Sequence, residues 1–330
     1  MLQPSTITII PTFKCTSSCV NCCFGSNPHL KETLAVKKTL AYIEEAKETY
    51  PSLGLLVLTG GEVFLLQKNL KKIVTRAKDK KLLVRIVSNA FWAKSYQKAR
   101  EVLLPLVDAG LSEINFSTGD NHLVFVPIEN IVNGVAASID LGITVAVSIE
   151  QHDSNPTSMK ILTEHERMQP YLHHQKLLIM NSPWIPFQKN PSGITSSHKV
   201  KTLNSDSPCD SILRGIFINP SSQMVACCGL PVEYIPYLKL GSLESHSMKT
   251  LFEYQSYDFI KIWLHVDGPK IILDYLNNLT GKKTIERGHI CHYCIDIFSS
   301  LEYLEFIRAI SKEKINDVLF RYSLKLTMKC

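Results

Sequence analysis

Cys15, Cys19 and Cys22 stand in the string CTSSCVNC, directly after the apolar run Ser5 to Ile10. Three soft thiolates on one tight loop can hold three irons of a 4Fe-4S cube, leaving the fourth iron open to another ligand. The same spacing also suits part of a zinc site or a chance cluster. A second set follows late in the chain: Cys209, the adjacent pair Cys227 and Cys228, then Cys291 and Cys294 as C-x2-C. Four sulfurs of this kind can make a tetrahedral zinc site or a fully ligated 4Fe-4S cluster, and spacing does not choose between them.

The elements that must position these residues recur at a regular interval. Runs rich in leucine and β-branched residues cover Thr6 to Ile10, Leu53 to Leu58, Leu82 to Val87, Glu113 to Ser117, Ile143 to Ile149 and Lys176 to Asn181. Amphipathic segments such as Val36, Leu40, Ile43, Ala46, Tyr50 alternate with them at i, i+3, i+4 spacing. Continuous apolar strands alternating with helices predict a parallel sheet covered by helices, either a partial barrel or an open doubly wound sheet. In both, chemistry gathers at the strand C-terminal ends. There the sequence places the cysteine loop after strand one, Thr59-Gly60-Gly61-Glu62 after strand two and Ser88-Asn89 after strand three. Ser117 through Asp120 to His122 follow strand four, and Ser148 and Glu150 close strand five.

The cysteine triplet and the Gly-Gly-Glu turn, each at its strand end, resemble the radical S-adenosylmethionine superfamily over about the first 185 residues. The resemblance implies a partial (β/α)6 TIM-like barrel whose open iron is chelated by the amino and carboxylate groups of S-adenosylmethionine. It also implies that Thr59, Gly60, Gly61 and Glu62 receive the methionyl amine. Glycine lets the backbone approach a ligand closely, and Glu62 would supply a negative end for an ammonium. Ser88, Asn89, Ser117, Ser148 and Glu150 fall where the family contacts the ligand or its ribose. Asp120 and His122 are candidates for substrate binding or proton movement; solvated loop residues are the plain alternative. Many members carry an aromatic before the third cysteine, and Asn21 stands there instead, which loosens the adenine-stacking assignment.

The segment from Cys209 to Gly229 reads as a β-hairpin with a ligand at each end. With LKLGSLESHSMKTLFE and the late C-x2-C it resembles the auxiliary-cluster domain called SPASM or, with this few cysteines, its shortened twitch form. The resemblance assigns Cys209, Cys227, Cys291 and Cys294 to an auxiliary 4Fe-4S cluster, leaving Cys228 as a candidate hydrogen-atom donor or a spare thiol. Cys23, beside Cys22, has the same ambiguity, and Cys330 is expected to be idle. The expected organisation is a barrel over 1–186, a Pro/Ser/Asn-rich linker or substrate-facing loop over 187–208, and the auxiliary domain over 209–330.

Composition sets the outer bounds. The 330 residues are 45% apolar, enough for one barrel-sized domain plus a smaller one. No run approaches a membrane span and no export signal opens the chain, so a cytoplasmic protein is expected, where ten cysteines serve as ligands or reactive thiols. The net charge of +6 is modest, and the basic stretch Lys68 to Lys81 carries its apolar residues on one helical face. Neither nucleic acid nor membrane is indicated as a partner.

The resemblance implies an enzyme that reductively cleaves S-adenosylmethionine to a 5′-deoxyadenosyl radical and takes a hydrogen from a ribosomally made peptide. Crosslinking, oxidation or epimerisation would follow. The alternatives are a radical dehydrogenase of a small sugar or alcohol, and a non-catalytic iron-sulfur or zinc regulatory protein. The expected partners are the peptide, a reductant such as flavodoxin or ferredoxin, and, since the chain opens directly on its first strand, a separate leader-binding protein.

Overall fold

The computed structural model describes residues 2–20, 22–151, 157–183, 187–190, 193–196, 206–229, 231–287 and 289–327. Asn21, Cys330 and half of the 187–208 stretch lie outside these. The chain forms two compact units, one comprising Thr6–Trp184 with Ile218–Ser221, the other Met1–Ser5, Ile185–Phe217 and Ser222–Cys330.

In the first unit six strands follow one another in parallel, each paired with the next: β1 (Thr6–Ile9), β2 (Leu55–Leu58), β3 (Leu83–Ser88), β4 (Glu113–Thr118), β5 (Thr144–Gln151) and β6 (Leu177–Pro183). All six predicted strands are present, displaced by a few residues at their ends. Helices α1 (Val36–Thr49), α2 (Lys68–Asp79), α3 (Tyr96–Ala109), α4 (Asp120–Leu123), α5 (Ile128–Asp140) and α6 (Thr157–Thr163) lie between them. This is a run of β-α units with a parallel sheet.

Burial follows from side-chain type. Ile7, Ile9, Leu56, Leu58, Val84, Ile86, Ile114, Phe116, Val145 and Val147 are removed from water, and burial of aliphatic side chains is the main favourable term in folding. In α2, Leu70, Ile73, Val74 and Ala77 face inward, so its lysines and arginine occupy the outer face of an amphipathic helix. The register Ser88↔Phe116, Ser117↔Ser148 and Glu150↔Ser182 brings the polar strand ends to one edge of the sheet.

In the second unit β7 (Phe187–Asn190) and β8 (Gly193–Ser196) form an antiparallel pair. Part of the segment expected to be irregular is therefore a hairpin. Then come β9 (Gly215–Ile218), β10 (Gln223–Val225) and β11 (Lys239–Ser242), followed by α7 (Met248–Tyr257), α8 (Phe259–Val266), α9 (Pro269–Thr280), α10 (Ile290–Phe298), α11 (Leu301–Arg308) and α12 (Lys312–Thr327). Trp263, Tyr293, Leu276, Val318 and Phe217 share its core. The indole N–H of Trp263 donates to Asp267 at 2.9 Å, and Asp267 also pairs with Arg321, fastening α12 to α8. No helix among the described residues is long and apolar enough to cross a membrane.

Candidate functional site

The cysteine loop is built by a continuation of the β1–β2 ladder beyond the strands. Thr59 donates its N–H to Ile9 O at 3.2 Å, Gly61 to Thr12 O at 2.9 Å and Glu62 to Lys14 O at 2.9 Å. A Cβ on Gly60 would stand 2.5 Å from Ile10 Cγ2 and 2.7 Å from Thr12 O, while one on Gly61 would meet the Lys14 carbonyl. The two glycines are thus required first by the close approach of backbone to backbone. Both also line the cavity described below.

The Glu62 carboxylate is held inside the fold. It is fully buried and accepts from Phe64 N at 3.1 Å, Ser88 Oγ at 3.0 and 3.1 Å, and Asn89 N at 2.9 Å. Burial pushes its pKa up to about 7, against the lowering effect of those three donors. Asn89 in turn donates its side-chain amide to Thr16 Oγ1 and Ser17 Oγ, each at 3.1 Å, and to Cys15 Sγ at 3.8 Å.

Cys15, Cys19 and Cys22 line one cavity with Gly60, Gly61, Ser88, Asn89, Ser117 and His122. Ser17, Ser26 and Val87 complete its wall. These three carry no motif of their own; only the position of Ser17 inside the cysteine string could have pointed to it. Thr59, Glu62, Asp120, Ser148 and Glu150 are not among the lining residues.

Ser148 donates its hydroxyl to Asn115 Oδ1 at 3.1 Å, and Asp120 opens the short helix α4. Glu150 is buried beneath the β4–α4 turn, where it accepts from Asn121 N and faces His122 Nδ1 at 3.2 Å. Its side chain passes where a Cβ on Gly119 would be: Glu150 Cδ lies 2.6 Å from that point, and Gly119 has φ of 137°. Glu150 therefore holds the turn and orients His122, which lines the cavity.

The thiols differ. Burial, the negative Glu62 and the neighbouring Cys22 push Cys15 up to about 11. Burial and the other two cysteines push Cys19 up to about 12. A hydrogen bond from Cys23, helped by backbone donors, draws Cys22 down to about 6. Three soft donors at one end of a polar cavity fit a cluster with an open iron, and the polar wall beside them fits a zwitterionic ligand.

In the second unit Cys227 follows β10, Cys209 is anchored through its N–H to Leu264 O at 3.0 Å, and Cys291 and Cys294 lie in α10, whose first turn is capped by His289. Cys227 is buried, and its thiol is held well above the usual range by burial and by Cys209 and Cys291. Cys294 is raised in the same way by burial and by Cys291, Cys209 and Cys227. A Cβ on Gly229 would be 3.2 Å from Cys227 Sγ and 3.4 Å from Cys291 Sγ. Cys228 is exposed, with its sulfur 3.7 Å from Ser211 Oγ. Cys209, Cys227, Cys291 and Cys294 lie near enough to act on one another's ionisation, and Cys228 acts in the same way on Cys209 and Cys227. Among the described residues no three His, Cys, Asp or Glu side chains converge tightly enough for a single metal ion.

A parallel run of β-α units with a three-cysteine loop at the first strand end and a half-buried glycine turn at the second is a fold shared with solved proteins. Over 82% of this chain and 91% of its own, BtrN in complex with AdoMet and 2-DOIA superposes with a TM-score of 0.51 at 12% identity. Native anSMEcpe with bound AdoMet, and the same protein with AdoMet and the Cp18Cys peptide, each give a TM-score of 0.56 at 10% identity, covering 96% of this chain and 99% of theirs. In sequence the chain is 23% identical over 324 residues to the Bacillus subtilis (strain 168) protein described as "Putative peptide biosynthesis protein YydG", spanning 94% of this chain and 98% of that one. No family model matches.

Proposed function

We propose that this protein is a radical S-adenosylmethionine enzyme that modifies a peptide. The observation that carries this reading is the meeting of Cys15, Cys19 and Cys22 with Gly60, Gly61, Ser117 and His122 on one cavity. The peptide substrate is supported by the likeness to the Bacillus subtilis peptide biosynthesis protein over nearly both full lengths, and by the shared fold of an anSMEcpe complex that holds a peptide.

Cys15, Cys19 and Cys22 would hold a 4Fe-4S cluster, which when bound supplies the electron that splits S-adenosylmethionine and so yields a radical able to take hydrogen from carbon. The chain's own residues set the rest. Gly60 and Gly61 bring backbone to the cavity wall, Ser88 and Asn89 line it while their polar atoms brace Glu62 and the cysteine loop, Ser117 lines it as well, and His122 is oriented by Glu150. Cys209, Cys227, Cys291 and Cys294 would hold the auxiliary cluster.

For the reaction we propose epimerisation, with Cys228, whose sulfur lies 3.7 Å from Ser211 Oγ, as the candidate hydrogen-atom donor. In this scheme the peptide loses a hydrogen atom from a backbone carbon, and Cys228 returns one, its S–H bond breaking as a new C–H bond forms. The thiyl radical left on Cys228 then takes one electron from the external reductant and one proton from water, restoring the thiol.

Anaerobic reconstitution with iron and sulfide, followed by a strong reductant, tests the first reading: 5′-deoxyadenosine must form, and its absence sinks the enzyme. For the second, the modified peptide formed in deuterated water should gain one deuterium per event at unchanged connectivity. Loss of two hydrogens would show crosslinking or dehydrogenation instead.

A further inference from the structure

Asn89 has its amide orientation fixed by a neighbour that can only donate. Phe91 gives its backbone N–H to Asn89 Oδ1 at 3.0 Å, so Nδ2 must face the cysteine loop. Its two N–H bonds are shared among Thr16 Oγ1, Ser17 Oγ and Cys15 Sγ. The backbone of Asn89 is pinned in turn, since its N–H enters the buried carboxylate of Glu62, which Ser88 Oγ also reaches. Ser88 Oγ receives the Trp92 indole N–H and the Ala90 N–H, each at 3.0 Å. Glu62 N closes the circuit by donating to Lys14 O, next to Cys15. The result is a cross-brace from the second and third strand ends to the first cysteine, with Asn89 as its last member.

We propose that Asn89 is a positioning residue for the three-cysteine centre: it fixes the Cys15–Ser17 backbone and directs an N–H at the Cys15 sulfur, stabilising the reduced form of the cluster bound there. Hydrogen bonds to ligating sulfur favour the more negative oxidation state, and outer partners of this kind tune a metal centre as well as orienting its ligands. This rests on the cluster reading above.

Two variants separate the donor from the turn. Asn89→Asp keeps the acceptor for Phe91 N–H and loses the donated bonds; Asn89→Ala loses both. In reconstituted full-length protein, a potentiometric EPR titration would follow the signal that changes when S-adenosylmethionine is added. At a fixed potential the reduced-to-oxidised ratio of that signal should fall roughly threefold to tenfold in both variants, the range one lost hydrogen bond spans. Selective loss of iron from this centre, with circular dichroism and the iron held by Cys291 and Cys294 retained, would equally support the brace. Wild-type ratios with full iron content in both variants would overturn it. If no wild-type signal responds to S-adenosylmethionine, the functional reading fails instead, and iron retention in the two variants still decides the role of Asn89.

Discussion

A Cβ atom on Gly61 would stand 2.6 Å from the carbonyl carbon of Lys14 and closer still to its oxygen. No flexible side chain can yield there, because both partners are backbone, and Gly61 N also donates to Thr12 O at 2.9 Å. Gly61→Ala must push the turn after β2 away from the cysteine loop. The expected cost is about 1–3 kcal/mol of stability, the usual penalty of overpacking. Denaturant unfolding reads the cost, and iron analysis after reconstitution should show the Cys15, Cys19 and Cys22 centre depleted. A variant with wild-type stability and iron would mean that Lys14 can move at no cost.

Glu62 makes a pH prediction for the iron-free protein. Its folded pKa is raised to about 7 from an ordinary 4.5. The folded state therefore holds the proton more tightly than the unfolded chain, so this group's stabilising contribution is complete below pH 4.5 and is lost as pH climbs to 7. The span corresponds to about 3 kcal/mol. Glu62→Gln cannot ionise, so the stability difference between variant and wild type should move in the variant's favour by up to that amount over the window. Parallel pH profiles from denaturant unfolding would show that Glu62 ionises normally despite its burial.

Much of this arrangement was legible before any coordinates. The six strands stand out because both faces of a parallel sheet are buried and their sequences are almost uniformly apolar, and the polar residues that follow them do collect at one edge. What the sequence does not carry is the partner of each polar group. Gly60 and Gly61 read equally well as room for a ligand or for a neighbouring backbone. Glu62 reads as a negative end for an ammonium, and only the fold shows that Ser88 and Asn89, more than twenty residues away, enclose it. Glu150 reads as a ribose contact because its fit beneath Gly119 is a fact of register between β4 and β5. Adjacent Cys227 and Cys228 are chemically identical, the family-like spacing favours Cys227 as the ligand, and the fold adds that Cys227 is the more buried residue. The hairpin of β7 and β8 escaped notice because its strands are short and polar.

The Glu150 carboxylate should matter to the turn more than to the cavity. Glu150→Ala removes the acceptor of the Asn121 N–H and the partner of His122 Nδ1. A loss of about 1–3 kcal/mol is expected. Glu150→Gln keeps an acceptor oxygen and should recover most of it. Unfolding measurements on both variants, with S-adenosylmethionine affinity measured alongside, would separate the roles. Wild-type stability in Glu150→Ala together with weakened binding would show a direct ligand contact instead.

The second cysteine set gives the sharpest metal test, because its donors belong to a separate unit from the first three. Cys291→Ala with Cys294→Ala removes two of the four sulfurs that shape one another's ionisation, and Cys227 is too deeply buried to take a replacement ligand from solvent. Iron and sulfide per reconstituted chain should fall by about half, the share of one of two 4Fe-4S clusters. The S-adenosylmethionine-responsive EPR signal of the remaining centre should persist. Cys15→Ala should do the reverse, sparing the auxiliary iron and abolishing that response. Unchanged iron in the double variant, accompanied by loss of zinc, would assign the second site to a tetrahedral zinc ion, and the oxidative outcomes that need an electron acceptor there would fall with the cluster.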